Sequence, residues 1–278
     1  MEQVCYLYDA TFEGFLTCVY EIYVNHEPPA AFRSFDDGHL TLWPERPVEG
    51  DKPHALRVYR SLAQKVSPEF QSLVTRGFLT CLEDRELALY DLIALGYKEG
   101  KTVTRNLTAP AVARVVGAVR HLEGEAHLLR GFVRFSDQDG VLAGEIEPKN
   151  RVLPLLRTHF CTRLSGERFL LYDRTHKEAL FYADRRWSIV PLEHFEMGSP
   201  SDEERACRAL WRRFYDTIAI EGRYNPKCRM TQMPKRYWNT MTEFQGAADE
   251  LSVCGSAGQT RAGSSSAVPR TDERKSLT

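Results

Sequence analysis

The chain has 278 residues, of which 42% are hydrophobic, and a formal net charge of -1. This length and composition suffice for a sizeable core, and either one domain or two closely packed ones fit. No apolar run approaches the roughly 20 residues that span a bilayer, and the first residues are not a basic segment followed by an apolar one. We therefore predict a globular, cytoplasmic protein without a membrane partner.

The sequence carries none of the common signatures of a cofactor or a catalytic centre. Its seven cysteines are scattered and no two form a Cys-x-x-Cys pair, which argues against a disulfide framework, a zinc ribbon or an iron-sulfur cluster. It has no P-loop, no Gly-x-Gly-x-x-Gly, no His-Glu-x-x-His and no Gly-x-Ser-x-Gly motif. We predict no cofactor and no metal, and a non-catalytic protein is favoured over an enzyme.

The N-terminal part is predicted to combine short strands with helices. Val4 to Tyr8 is typical of a strand, and Thr11 is placed to cap a helix that ends near His26. A second strand is predicted over residues 40–43. Helices are predicted over about residues 53–66, 68–82 and 84–97.

The part that follows changes from helical to strand periodicity. Thr108 is a candidate N-cap for a helix with Pro110 in its first turn, and residues 131–135 and 141–146 are predicted to form a hairpin. A helix over residues 150–164 and a three-stranded meander over residues 168–192 follow. The predicted class is α+β, with several helices packed on an antiparallel sheet. We divide the chain into residues 1–105 and 106–244, packed as one globular unit, and a disordered tail, 245–278.

The most regular predicted element is a helix from about residue 202 to 220. Ser201 and Glu204 fit a capping box. An apolar stripe at a spacing of four predicts the docking face, and arginines lie opposite it on a helical wheel. The stripe is Ala206, Leu210, Phe214 and Ile218, and the arginines are Arg205, Arg208 and Arg212. Arg212 can also pair with Asp216 at i, i+4.

The C-terminal part of the chain is strongly cationic. Residues 205–244 hold nine Lys and Arg against three Asp and Glu, whereas residues 1–100 hold sixteen acidic against nine basic side chains. This asymmetry favours an anionic partner, or an attraction between the two halves of the protein.

The segment from Met233 to Trp238 alternates cations with aromatic rings. Lys235 and Arg236 can neutralise phosphates, while Tyr237 and Trp238 offer flat faces to unstacked bases, which suits single-stranded or flipped nucleic acid. The alternative is that both rings pack against the core and both cations lie in solvent.

Two groups of titratable residues are candidates for acid/base or metal chemistry, although their spacing matches no ligand template. Glu125 and His127 precede the hairpin. His159, Arg163, Asp173 and Arg174 can form a network that binds phosphate or only ties helix to sheet.

Several separated motifs occur in a defined order. They are Asp9-x-Thr-Phe-Glu-Gly-Phe, Glu125-Ala-His127 before Gly131-Phe-x-Arg-Phe135, His159-Phe-x-x-Arg163, Tyr172-Asp-Arg174, and Arg223-x-Asn225-Pro-Lys leading to Met233-Pro-Lys-Arg-Tyr-Trp238. Over residues 1–244 the chain thereby resembles a bacterial family of DNA-metabolism proteins that is a domain of unknown function. Its members are typically paired with a radical-SAM protein thought to act on DNA, and its C-terminal part occurs fused to uracil-DNA glycosylases. The resemblance implies a role in DNA modification or repair beside a radical-SAM partner.

Two functions are therefore carried forward. The first is a DNA-binding or adaptor protein that holds DNA, including single-stranded or damaged DNA, for a radical-SAM partner. Its candidate contacts are Arg163, Arg174, Arg208, Arg212, Asn225, Lys235, Arg236, Tyr237 and Trp238. The alternative is a nucleobase-processing or phosphodiester-hydrolysing enzyme with a cleft formed by Glu125, His127, His159 and Asp173. A scaffold that binds a partner without touching DNA is the third possibility.

Overall fold

A computed structural model of the chain describes residues 3–38, 41–218 and 225–244. It contains helices and two sheets, of which the larger is mostly antiparallel, so the α+β class is confirmed. None of the described helices is both long and apolar enough to cross a membrane. The predicted tail lies outside the described residues.

The N-terminal sheet has three parallel strands. β1 (Val4–Tyr8) lies between β2 (Pro29–Ser34) and β3 (Glu45–Pro47). α1 (Phe12–Asn25) follows β1 and is capped by the Thr11 hydroxyl, as predicted.

The second predicted strand is wrong, and two real strands were missed. Residues 41–43 form no strand, and Leu40 lies outside the described residues. The chain joins the sheet just beyond them, where the Pro44 carbonyl accepts the Cys5 amide at 2.9 Å. In the sequence Pro29 follows the predicted end of α1 and indicates only that the helix does not continue. In the structure it begins β2, where a proline is tolerated because it is the first residue of an edge strand.

Helices pack beside this sheet in the predicted order. They are α2 (Lys52–Ser61), which continues as a π-helical turn to Val66, α3 (Pro68–Gly77), α4 (Arg85–Glu99) with a 3₁₀ turn to Arg105, and α5 (Pro110–Phe132). α5 is preceded by Ala109 as its N-cap, without a side-chain hydrogen bond, so Thr108 is not the cap.

The second sheet has the order β4-β5-β6-β7-β8. Its strands are β4 (Phe135–Gln138), β5 (Val141–Ile146), β6 (Phe169–Asp173), β7 (Glu178–Ala183) and β8 (Arg186–Pro191). The hairpin and the meander are antiparallel as predicted, but β5 and β6 are parallel and α6 (Leu153–Arg163) connects them. The final helices are α7 (Asp202–Thr217), α8 (Pro226–Gln232) and a 3₁₀ helix over Lys235–Thr240.

The first hairpin strand starts later than predicted because α5 continues to Phe132. Leu122, Ala126 and Leu129 recur at helical spacing and are buried in the core beneath the second sheet. This helical burial outweighs the alternating pattern around Gly131.

α5 joins two hydrophobic clusters. Its first half, up to Val119, packs with the N-terminal sheet and α1 to α4. Its second half, from Leu122 onward, packs with α6, the second sheet and Tyr237 and Met241 near the C-terminal end of the described chain. One exposed face of α5 therefore runs alongside both clusters, and this face carries the candidate site.

Candidate functional site

A groove of about 940 Å³ runs along the exposed face of α5. Three other segments form its walls: the loop over residues 80–83 after α3, the loop between β5 and α6, and the 3₁₀ helix that holds Arg236. The groove is open to solvent, and its size is in the range of ligand-binding pockets.

Small residues of α5 contribute to the floor of the groove, beside His121 and Leu128. Gly117, Ala118 and Gly124 line it, and a Cβ atom added at either glycine would meet no atom within 4 Å. The two glycines are therefore not required by packing. Since glycine inside a helix costs about 1 kcal/mol relative to alanine, this floor is destabilising for the helix itself.

Positive charge lines the groove more densely than negative charge. Its four Lys and Arg side chains stand against the two carboxylates Glu83 and Glu125, and the imidazoles of His121 and His127 also face it. The four cations are Arg114, Arg120, Lys149 and Arg236. A surface of this kind attracts an anionic ligand.

Glu125 is the buried carboxylate that ties the walls of the groove to α5. It is 4% exposed and accepts hydrogen bonds from the Lys149 amide (3.1 Å), the Asn150 amide (2.9 Å) and Asn150 Nδ2 (2.7 Å). Asn150 in turn accepts the Cys81 amide through Oδ1 at 3.0 Å. The carboxylate thereby fixes the loop after β5, and Asn150 connects that loop to the one after α3.

The 3₁₀ helix is attached through the same carboxylate. Arg236 Nη2 lies 3.1 Å from Glu125 Oε1, and it also donates to the Tyr237 hydroxyl. Burial raises the pKa of Tyr237, and the Glu125 charge raises it further. Tyr237 is 2% exposed and has no ring face available to a base, so the packing alternative holds for this residue.

Trp238 is also engaged by the protein. Its ring stacks on Phe244 with 4.5 Å between centroids, and its Nε1 donates to the Met233 carbonyl at 3.1 Å. Lys235 is exposed and lies 5.9 Å from the Trp238 ring. Asn225 caps α8 by accepting the Cys228 amide at 3.1 Å.

Only two of the four catalytic candidates line the groove. Glu125 and His127 line the groove, whereas His159 and Asp173 do not. Asp173 is fully buried at the end of β6, where Oδ2 lies 2.7 Å from His176 Nδ1 and Oδ1 accepts the amides of Thr175 and His176. Of the described residues, no group of three or more His, Cys, Asp and Glu is placed to hold a metal ion.

The predicted network of His159, Arg163, Asp173 and Arg174 is replaced by separate contacts in the structure. Burial lowers the pKa of His159, and the charges of Arg130 and Arg163 lower it further. Arg174 instead faces the carboxylates of Glu145 and Glu147, at 3.9 and 3.3 Å. Asp173 instead accepts hydrogen bonds from the amides of Thr175 and His176, in the turn that follows β6.

The orientation predicted for α7 is wrong. Two of the three predicted arginines face the protein: Arg208 Nε donates to Glu204 Oε1 at 2.7 Å and its Nη2 donates to Ser136, while Arg212 Nε donates to the Thr242 carbonyl at 3.3 Å. Arg205 is exposed and pairs with Asp202 of its own helix. Polar partners on β4 and the C-terminal segment therefore decide the docking face, and the apolar stripe is exposed. Ser201 caps the helix as predicted, but the Asp216 side chain lies outside the described residues.

Sequence reasoning missed most of the groove. Arg114, Arg120, His121 and Lys149 belong to no recognised motif. The available signal was the seven-residue spacing of Gly117 and Gly124, which places both on one helical face. Such glycines inside a helix call for a packing or functional reason.

Comparison with protein families identifies the family to which the chain belongs. The sequence profile of DUF4130, a domain of unknown function, matches residues 83–243, which is more than half of the chain. The match includes the groove-lining residues of α5, the Lys149–Asn150 loop and Arg236. No curated protein matches the chain.

Proposed function

We propose that this chain, which belongs to the DUF4130 family, binds DNA through the α5 groove and acts as a non-catalytic adaptor in DNA modification or repair. The supporting observation is the glycine floor flanked by the cations Arg114, Arg120 and Lys149, beside Arg236, which is paired with Glu125. Without Cβ atoms at Gly117 and Gly124, a phosphate backbone can approach the helix closely while the surrounding cations neutralise it.

The expected mode of binding is contact with phosphates rather than stacking on bases. Tyr237 is buried and Trp238 stacks on Phe244, so neither offers the open ring face that base stacking requires. Arg120 and Lys149 are exposed, and both line the groove. Contacts of this kind position DNA without reading its sequence.

An adaptor role is favoured over catalysis because the buried carboxylate is already occupied. Glu125 accepts three hydrogen bonds from residues 149–150 and pairs with Arg236. A general base needs a lone pair directed at the substrate proton, and these donors compete for the lone pairs of Glu125. The chemistry would then belong to a partner enzyme, and the family resemblance supports a radical-SAM protein in the cytoplasm.

The proposal is tested by measuring binding of fluorescent single-stranded, duplex and lesion-containing DNA over a series of salt concentrations. If phosphate contacts dominate, the affinity falls steeply as salt rises, by a log–log slope of about 0.9 for each phosphate neutralised in duplex DNA. An affinity independent of salt, or no binding at low salt, would refute the phosphate-contact account. Co-purification with a radical-SAM protein, with and without nuclease treatment, tests the adaptor role separately.

The second candidate is a nucleobase-processing or phosphodiester-hydrolysing enzyme. His121 and His127 line the same groove as the cations, and an imidazole can act as a general acid or base. Incubation of the purified chain with lesion-containing DNA, with His127→Ala and His121→Ala as comparisons, tests it. Base release or strand cleavage that disappears in one of these variants would favour the enzyme over the adaptor.

A further inference from the structure

A second cavity, of about 440 Å³, lies between α7 and the C-terminal ends of α5 and α6. The start of β4 and the segment that follows the last 3₁₀ helix complete its walls. Among the described residues, it shares none of its lining with the α5 groove, and its volume is within the range of pockets that bind small ligands. The charged residues that line it are Arg134, Arg163, Arg208 and Glu204.

Two of the three arginines are already neutralised by carboxylates of the protein. Arg134 donates to both oxygens of Glu243, from Nη2 at 2.7 Å and from Nε at 3.2 Å. Arg208 pairs with Glu204 at 2.7 Å. All four side chains are largely buried, so these two ion pairs form walls of the cavity and leave the third arginine to face a ligand.

The third arginine, Arg163, is the last residue of α6. It is exposed, and within the described part of the chain its guanidinium forms neither an ion pair nor a hydrogen bond. α6 itself contains no Asp or Glu that could neutralise it. A guanidinium presents five N–H donors in a planar fork that fits the oxygens of a phosphate or a carboxylate. This side chain is therefore available to an anionic ligand.

A second arginine acts on the same region. His159 lies one turn before Arg163, and its pKa is lowered by burial and by the charges of Arg130 and Arg163, with no contribution from a described carboxylate. Arg130, on α5, is exposed and pairs with none of the described acidic residues. Two uncompensated arginines are therefore close enough to act on one imidazole, and a doubly charged anion fits them better than a singly charged one.

We propose that this cavity binds a phosphate monoester, with the phosphate held by Arg163 and the rest of the ligand packed against an apolar wall. A phosphate monoester carries about 1.5 to 2 negative charges at neutral pH, which matches the combined charge of Arg163 and Arg130. The apolar wall is formed by Val133, Phe135 and Trp211. The phosphate belongs either to a free nucleotide or to the end of a DNA strand, since both present the same group. The cavity would serve this role whether or not the α5 groove binds DNA.

Isothermal titration calorimetry on the full chain tests the site, with deoxyadenosine monophosphate, inorganic phosphate and deoxyadenosine as ligands. The two ligands that contain phosphate should bind, and deoxyadenosine should not. Arg163→Ala should weaken binding of the monophosphate about tenfold or more. Arg163→Lys should lose part of the affinity, because an ammonium group keeps the charge without the planar fork.

Two further variants serve as matched controls. Arg168→Ala removes an exposed cation that precedes β6 and does not line the cavity, so the affinity for the monophosphate should be unchanged. Arg120→Ala combined with Lys149→Ala removes cations of the α5 groove and should also leave this affinity unchanged. Circular dichroism spectra equal to that of the unsubstituted chain show that each variant is folded.

Short oligonucleotides distinguish the two sources of the phosphate. Hexathymidylate with a 5′-phosphate is compared with the same strand ending in a 5′-hydroxyl, in the Arg120→Ala, Lys149→Ala double variant so that the α5 groove contributes little. Tighter binding of the phosphorylated strand than of deoxyadenosine monophosphate would support the site and identify its ligand as a DNA end. Tighter binding of the monophosphate would support the site and identify its ligand as a free nucleotide.

The imidazole of His159 reports where the anion binds. An anion beside Arg163 offsets the arginine charges that lower the pKa of His159, so saturating deoxyadenosine monophosphate should raise this pKa in an NMR titration of the histidine ring resonances. His159→Gln identifies the resonance. Three results would overturn the proposal: neither phosphate ligand binds, Arg168→Ala weakens binding as much as Arg163→Ala, or the bound ligand leaves the pKa of His159 unchanged.

Discussion

Replacing both floor glycines by alanine should make the protein more stable and the DNA complex weaker. An added Cβ meets no atom within 4 Å at either Gly117 or Gly124, so neither substitution causes a clash. Each glycine-to-alanine change inside a helix gains about 1 kcal/mol. The free energy of unfolding of the double variant should therefore be about 2 kcal/mol higher, and its Tm should rise by about 4 to 8 °C.

The effect on DNA binding has the opposite sign. Two methyl groups occupy the space that the phosphate backbone would use, and overpacking of this kind costs about 1 to 3 kcal/mol. We expect the affinity to fall about tenfold or more. Thermal unfolding followed by circular dichroism and fluorescence anisotropy with labelled duplex DNA measure the two effects on the same sample.

Gly131→Ala provides the matched control. Gly131 lies on the same helix and also has no atom within 4 Å of an added Cβ, but it does not line the groove. Its substitution should leave the DNA affinity unchanged. If Gly117→Ala and Gly124→Ala raise the stability but bind DNA as tightly as the unsubstituted chain, the floor does not contact DNA and the reasoning fails.

Three further predictions concern the groups that hold the site together. Glu125→Gln should lower the free energy of unfolding by about 2 to 4 kcal/mol in urea titrations, because an amide nitrogen cannot accept the donors of residues 149–150; an unchanged value would contradict its anchoring role. Arg208→Ala should destabilise the protein by about 1 to 3 kcal/mol and leave Glu204 without its ion pair, and a neutral effect would show that α7 is not held by this face. The pKa of His159 is lowered below its ordinary value of 6.5, so as pH falls the unfolded chain binds the proton before the folded chain does, and the free energy of unfolding should decrease as pH falls through and below 6.5. His159→Gln should remove this part of the pH dependence. The same dependence of unfolding free energy on pH in the variant and the unsubstituted chain would contradict the prediction.

The secondary structure could be predicted wherever periodicity and caps agreed. Alternating patterns predict β1, the β4–β5 hairpin and the meander. Helical spacing together with Thr11 as a cap predicts α1. The strand at Pro29 could not be predicted in this way, because its pairing with β1 is a long-range contact that no local pattern encodes. For the same reason the sequence does not reveal that β5 and β6 are parallel.

The orientation of α7 shows why amphipathic patterning can mislead. Leu210 and Phe214 form a regular stripe, and burial of such a stripe is the usual outcome. The helix instead docks through Arg208 and Arg212, whose partners Ser136 and Thr242 are distant in the sequence. A helical wheel describes one helix and carries no information on the polar groups that a distant strand presents.

The candidate site was recognised only in part, for a related reason. The Met233–Trp238 segment stood out by its composition, but two of its residues serve packing and Arg236 serves the groove through Glu125. Arg120 and Lys149 are unremarkable in the sequence and become neighbours of one groove only through the fold. Recognition of a surface assembled from four segments requires the tertiary structure.

The salt dependence of DNA affinity in groove variants tests the central claim most directly. Arg120→Ala combined with Lys149→Ala removes two exposed groove cations and retains the Lys149 amide that binds Glu125. The log–log salt slope for duplex DNA should fall by about 1.8, since each phosphate contact contributes about 0.9. Arg186→Ala, an exposed cation on β8 that does not line the groove, should leave the slope unchanged. A slope that is equal in all three proteins would contradict DNA binding by the α5 groove.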